Sequence, residues 1–289
     1  MAGARIVGWA SVRECHPSRR SCRGVGSGFS VLLAVVSDIH GNLPALEAVL
    51  AELEADDVDE LICLGDVALG PQPHETLERV RGLGCPVVVG NWDAWILEGF
   101  PQVSEEPWSR FVEQGEWWAG KLSADDRSFV RTFQPRVELQ LGEAEVACFH
   151  GSPSSYDDMI LATTPHDELL RLLDGWHQPL MLGGHSHVQL VRVIEGKLLV
   201  NPGSVGLPFR GIPLGELQLI SPWAEYAVVR IESSQVSVDL RRTRYDVDAM
   251  LRRTIESGAP HAAWWAGTWA RDDVPAPLSS GRGGLSGPR

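Results

Sequence analysis

The chain is short of positive charge, lacks a paired-cysteine framework and has no long hydrophobic run, and each shortage removes a class of function. It carries 25 Lys and Arg against 38 Asp and Glu in 289 residues, a formal net charge of -13. That balance opposes general attraction to duplex nucleic acid, which rests on many Lys and Arg contacts to phosphate. No strong general nucleic-acid binding is expected, and a DNA exonuclease is disfavoured. Every apolar stretch is broken by charge, Gly or Pro before it reaches membrane-span length, including Phe29 to Val36, which ends at Asp38. The expectation is a soluble, cytoplasmic protein with no membrane association. Cys63, Cys85 and Cys148 sit in or beside strand-like runs, and Cys15 and Cys22 lie near the N-terminus, with no C-x-x-C pair among the five. Buried free thiols, and not a disulfide framework or zinc ribbon, follow from that spacing.

The ends differ from the middle. Residues 1–30 are rich in Ser, Gly and Arg, with five Arg against one Glu and no signal-peptide apolar block. A disordered extension without function is expected there. An organelle-type transit peptide is the sharper alternative, but an obvious amphipathic helix is missing. Residues 271–289 form a Pro/Gly/Ser tail that also reads as disordered. Residues 31–270 read as one domain.

Within that domain, strands and helices alternate. Strand-like Val31 to Ser37 is followed by a helix over Leu43 to Glu54, with Asn42 as cap and Pro44 in its first turn. A strand over Val58 to Leu64, a helix over His74 to Leu83 and a short strand over Pro86 to Val89 follow, giving a parallel β-α-β-α-β unit. Trp92, Trp95, Trp108, Trp117 and Trp118 then crowd a Glu-rich stretch that reads as a helical insertion over about 94–134. Strands resume at Arg136 to Leu141 and Glu145 to Phe149, flanking a Gly142-Glu143 turn, and a helix runs from Thr164-Pro165 to about Asp174. Leu180 to Gly183, Val188 to Ile194, Lys197 to Asn201, Glu225 to Ile231 and Val236 to Arg241 are expected to complete a second, mostly antiparallel set. Two stacked sheets with helices outside is the α/β architecture implied.

Five short pieces, each just after an apolar run, supply seven metal-type ligands: Asp38-x-His40, Gly65-Asp66, Gly90-Asn91, His150-Gly151 and His185-x-His187. Any one of them arises often by chance. Five at successive strand ends can converge at one sheet edge. Four imidazoles, two carboxylates and one carboxamide fit the N/O coordination of two divalent metals, and a carboxylate can bridge both. Asp38 and His40, like His185 and His187, are one residue apart, so an extended exit from a strand would point each pair the same way. His74, His166, His177 and His261 stand outside these pieces and read as ordinary surface or core histidines.

The ordered motifs D-x-H-G-N, G-D, G-N, H-G and G-H-x-H, followed by Asn201-Pro202-Gly203-Ser204, resemble the calcineurin-like metallophosphoesterase superfamily, and within it the small YfcE-like bacterial phosphodiesterases. The resemblance covers roughly Val31 to Arg241. It implies a four-layer α/β/β/α sandwich of two mixed sheets, the metallo-dependent phosphatase fold. It also implies two divalent ions (Mn, Fe, Zn, Ni or Co), one held by Asp38, His40, Asp66 and His187 and the other by Asp66, Asn91, His150 and His185. Asp66, Asn91 and His150 would stand at the catalytic centre. The implied reaction is phosphoester hydrolysis by a metal-activated hydroxide, on a small phosphoester substrate, nucleotides included.

Residues next to the ligands carry secondary expectations. Asn42 caps its helix or donates to a phosphate oxygen; Asn201 and Ser204 shape their loop or orient a histidine through its other ring nitrogen, and Asp93 does the same or is a solvated helix-start carboxylate. One departure stands out, since many relatives carry His directly after the metal-binding Asn and this chain has Trp92. Indole donates one hydrogen bond and is no general acid. The departure favours phosphodiesters over the serine/threonine protein-phosphatase reaction, with Trp92 packing the insertion or stacking on a base. Dinucleoside-polyphosphate hydrolysis, phosphomonoester hydrolysis and a non-catalytic scaffold, like the retromer subunit that resembles this family, are the alternatives. Aromatics of the insertion, or Trp264, Trp265 and Trp269, are candidates for a homo-oligomer interface.

Overall fold

The computed structural model describes residues 30–211, 219–232 and 235–270. The expectations for residues 1–29 and for the tail 271–289 lie outside the described residues.

The chain opens with β1 (Ser30–Val36), whose last five residues are buried on both faces. Leu33 and Val35 face the sandwich interior, and Leu32, Ala34 and Val36 face the outer helices. This is why the run is continuously apolar and does not alternate. Helix α1 (Leu43–Ala55) starts where the Asn42 side chain accepts from Ala45 N, and buries Ala45, Leu46, Val49, Leu50 and Leu53 on one face. After β2 (Glu60–Cys63), parallel to β1, comes α2 (Pro73–Leu83), which Gly84 ends in a left-handed conformation at φ +65°.

The expected third strand over Pro86 to Val89 is reduced to single bridges, Val87 to Cys63 and Val88 to Gln134. Pro86 has no N–H to extend the ladder, and the chain turns at once into α3 (Asn91–Glu98). The insertion is helical, as α3, α4 (Trp108–Ala119) and α5 (Ala124–Val130), but it begins at Asn91 and not near Ala94. Because Gln134 N donates to Val87 O and Val89 N to Gln134 O, the insertion leaves and returns at the same place.

The second sheet is built from β3 (Val137–Leu141), β4 (Ala144–Cys148), β5 (Leu180–Leu182), β6 (Leu190–Ile194) and β7 (Lys197–Asn201), in the order β3-β4-β5-β7-β6. Helix α6 (His166–Leu172) covers its outer face, packing Leu169 against Ala147, Phe149, Met181 and Leu199. The hairpin of β8 (Trp223–Glu232) and β9 (Gln235–Arg244) departs from expectation. It joins the first sheet, in the order β2-β1-β8-β9, with β8 antiparallel to β1 from Ser30–Glu232 to Val35–Ala227. The reason is burial: Ala227, Val229 and Ile231 meet Leu33 and Val35 in the interior, while Tyr226 and Val228 cover α1, so β8 fills both faces beside β1. Both sheets are mixed, and the layers run helix, sheet, sheet, helix.

Two further helices, α7 (Val247–Glu256) and α8 (Ala262–Gly267), follow the last strand. They bury Met250, Leu251, Trp265 and Trp269 with Ile220 in a separate cluster. Trp265 and Trp269 are therefore internal, which removes them as an oligomer interface; Trp264 packs its ring on Phe111 of α4 at 5.1 Å. Cys63 and Cys148 are free, and burial raises both thiols above their ordinary range. Among the described residues, no helix is long and apolar enough to cross a membrane.

Candidate metal centre

The ligand pieces leave β1, β2, β4 and β5, or open α3, and their backbones are laced together. Asp38 N donates to Gly65 O, His40 N to Asp66 O, Gly184 N to His150 O and Gly206 N to Asp38 O, at 2.7 to 2.9 Å. The turns are not extended as expected. Asp38, His40, Asp66, His185 and His187 all have positive φ, from +47° to +66°. Tight left-handed turns, and not strand alternation, aim the side chains inward, a conformation that costs about 1–3 kcal/mol per non-glycine residue and clusters at functional sites. Two glycines make room: a Cβ at Gly90 would lie 2.1 Å from Asp66 Oδ1, and one at Gly184 would lie 2.1 Å from Ser37 Oγ.

Asp38, His40, Asp66 and His187 form one group and Asp66, His150 and His185 another, each with ligand atoms within 4.8 Å of one another. His187 Nε2 lies 3.2 Å from Asp38 Oδ1, His150 Nε2 3.4 Å from Asp66 Oδ2, and the Nε2 atoms of His40 and His187 are 3.1 Å apart. Asn91 is buried at the start of α3, next to Trp92, whose N–H donates to Asp66 Oδ1 at 2.9 Å. Asp38 Oδ1, Asp66 Oδ2, Asn91 Oδ1 and His150 Nε2 are buried without a hydrogen-bond partner. Orphaned buried acceptors on four of the seven residues are costly unless a cation satisfies them, so the donor set fits divalent metal. His74, which pairs with Asp126, and His261, which pairs with Glu113, stand outside these groups.

The remaining contacts hold the ligands in place and decide between the roles expected for the neighbouring residues. The ring nitrogens are oriented by backbone, since His150 Nδ1 donates to Leu64 O at 2.7 Å and His187 Nδ1 to Leu207 O at 2.8 Å. A carbonyl only accepts, so a proton sits on Nδ1 and Nε2 faces the site. Asn201 and Ser204 touch neither ring. Asn201 Nδ2 donates to Gly184 O and Ser186 Oγ, and Ser204 Oγ donates to Asp38 O while accepting from Leu207 N. Asp93 does not orient a histidine either; its carboxylate accepts from the backbone N–H groups of Asp66, Val67 and Gly90, pinning the Asp66 loop. These loops offer converging N–H groups that a side-chain reading of the sequence overlooks.

Asn42 caps α1 through Oδ1, and its Nδ2 donates to Gly206 O and Tyr245 Oη, at 3.2 and 2.9 Å. Trp92 packs on Trp95 at 5.2 Å and sits edge-on to His40 at 5.8 Å. Sequence reasoning missed the Leu64 and Leu207 carbonyls, which no residue type marks, and Phe209, stacked on the His187 ring at 4.6 Å and 23°. The available signal for Phe209 was an aromatic shortly after the Asn201-Pro202-Gly203-Ser204 motif. A cleft of about 370 Å³ adjoins His150, lined by Ser152, Ser154, Ser155, Tyr156 and Asp157 among others.

Electrostatics agree with an anionic cradle. Burial pushes the Asp38 carboxyl up, but His187, His150 and His40 together hold it well below the usual range. Asp66 is likewise lowered, against burial, by His150 and His40. Burial opposes charge on His150, yet Asp66 and Asp38 carry it up to about 10. His40 and His185 are pushed down to about 4, first by burial and then by His187 and His150 respectively.

The calcineurin-like phosphoesterase superfamily domain model matches residues 31–219. The chain belongs to that superfamily. An uncharacterised protein of Methanocaldococcus jannaschii is 27% identical over 257 residues, covering 82% of this chain and 96% of its own. The crystal structure of a metallophosphoesterase from Sphaerobacter thermophilus is similar at 27% identity and a TM-score of 0.60, covering 80% of this chain and 96% of that one. A hypothetical protein from Pyrococcus horikoshii shares the fold at 21% identity and a TM-score of 0.67, covering 82% and 97%. Superfamily membership and the Asp/His cluster agree on a metal-dependent phosphoesterase framework.

Proposed function

We propose that the protein hydrolyses phosphodiesters with two divalent cations. Asp38, His40, Asp66 and His187 hold one, and Asp66, Asn91, His150 and His185 hold the other. The observation that carries this reading is the set of four buried, partnerless acceptors on Asp38, Asp66, Asn91 and His150. Bound cations supply Lewis acidity toward phosphoryl oxygens and lower the pKa of water toward neutrality. The donor set suits Mn, Fe, Co, Ni or Zn.

The chain's own part is position. Asp66 Oδ2 faces the site while Oδ1 accepts from Trp92 N, and Asp93 fixes the loop beneath. Trp92 follows Asn91 and supplies no acid for a leaving group. This favours diesters whose leaving group departs without a dedicated proton donor. The hydroxyl-lined cleft beside His150 suits the alcohol portion of a small phosphoester, including a nucleotide.

Metal reconstitution with Mn²⁺ and parallel assays on bis-p-nitrophenyl phosphate, p-nitrophenyl phosphate and diadenosine tetraphosphate test the reading. The diester is expected to turn over fastest, and Asp66→Ala to cut turnover by a factor on the order of 10³. Inactivity with every divalent ion, or full activity of Asp66→Ala, overturns the reading. A faster monoester or tetraphosphate reaction reassigns the substrate class.

A further inference from the structure

Part of what supports the ligand set lies outside the span, residues 31–219, that the family model matches. From His187 a hydrogen-bonded ladder runs outward: Phe209 N donates to His187 O, Phe209 bridges Ile220, Ile220 N donates to Thr268 O, and Ala270 N donates to Ile220 O. Ile220 and Thr268 to Ala270 lie beyond residue 219. Side chains follow the same route. Phe209 and Leu207 pack on the buried cluster of Ile220, Met250, Leu251, Trp265 and Trp269. Leu207 offers its carbonyl to His187 Nδ1, and Phe209 lays its ring on the His187 ring. Tyr245, whose ring meets Trp269 at 6.5 Å, accepts from Asn42 Nδ2 beside the Asp38–His40 turn. Among the described residues, no comparable contact reaches the other ligand group: His150 is oriented by Leu64, just after β2.

We infer that the segment from Tyr245 to Ala270 is a brace for one half of the metal centre, and that Phe209 is the positioning residue through which it sets the His187 ring. This rests on the two-cation reading above. Its consequence is asymmetric. Loss of the brace frees the His187 ring to rotate about its side chain and weakens the cation held by Asp38, His40, Asp66 and His187, while the Asn91, His150 and His185 side keeps its own supports.

Calorimetric titration of the metal-free, full-length chain with Mn²⁺ reads this directly, without turnover. Phe209→Ala is expected to weaken one binding step by about 10- to 100-fold, the range for loss of a partner that orients a ligand, and to leave the other within about threefold. Phe209→Tyr, which keeps the flat ring, is expected to restore the lost step. Trp269→Ala, distant from the ligands, is expected to weaken the same step as Phe209→Ala. Thermal melting of each metal-free variant identifies loss of fold. If Phe209→Ala does not fold, Phe209→Leu, which keeps apolar volume but not the flat face, takes its place and is expected to show the same one-step loss. Two steps weakened equally, two unchanged steps, or a failure of Phe209→Tyr to restore the step overturns the brace alone. A parent chain that binds no Mn²⁺ overturns the two-cation reading as well.

Discussion

Among the seven candidate ligands, five residues take left-handed dihedrals and four have a buried polar atom with no partner. Helices α4 and α5 of the insertion behave in the opposite way. Ser123 and Asp126 cap α5 reciprocally, Arg127 donates to the carbonyls of Ile96 and Ala119, and Trp117 and Trp118 meet edge to face at 4.6 Å. Among the described residues, no buried side-chain polar atom of α4 or α5 lacks a partner. One region is locally unfavourable everywhere a cation would be needed, and the other is locally satisfied. The difference teaches that the insertion is a stabilising body built beside the site, while the loops are held in place by the surrounding fold against their own preferences.

The strongest way to break that contrast is to remove the shared carboxylate. Asp66→Ala is expected to lose several kcal/mol of transition-state stabilisation, a rate loss on the order of 10³, in a steady-state diester assay. Next comes the insertion. Trp118, buried in the larger core cluster, should cost about 3–5 kcal/mol of folding stability as Trp118→Ala, measured by urea denaturation, with both Mn²⁺ steps unchanged. A change in metal affinity there would mean that the insertion is coupled to the site.

Chelation should act in reverse. A cation present at 100 times its Kd stabilises by about 2.7 kcal/mol, so EDTA is expected to lower the Tm of the parent and to leave Asp66→Ala unmoved in a thermal melt. The smallest effect belongs to the exposed tie between α2 and the insertion. The Asp126 carboxylate, by hydrogen bond and charge, raises the pKa of His74 above 6.5. A folded-state pKa raised above the unfolded value adds stability that is complete below 6.5 and fades as pH rises through the folded value. His74→Gln should therefore destabilise by less than about 1 kcal/mol at pH 6, since the pair is largely solvated on the His74 side, and be neutral at pH 9.

The ligands and most strands were legible because each obeys a local rule: an apolar run of strand length, then a turn with a metal-binding side chain. Other features depend on partners far away in the chain. Nothing near Glu225 to Ile231 says that the strand pairs with β1 and not with the second sheet, because both edges would bury the same residues. Leu64 and Leu207 orient imidazoles through carbonyls that every residue possesses. Trp265 and Trp269 looked available for an interface and are internal, because α8 turns them onto Ile220 and Met250.

Residue identity alone determined the chemistry on offer: two carboxylates, one carboxamide and four imidazoles, with Trp92 where a proton donor could have stood. Tertiary structure decided which polar atoms point inward, which loops bear strain and that Leu207 and Phe209 meet the His187 ring. Donor type is a property of a side chain, whereas direction and burial are set by backbone turns and neighbours that only the closed fold brings within a few ångströms.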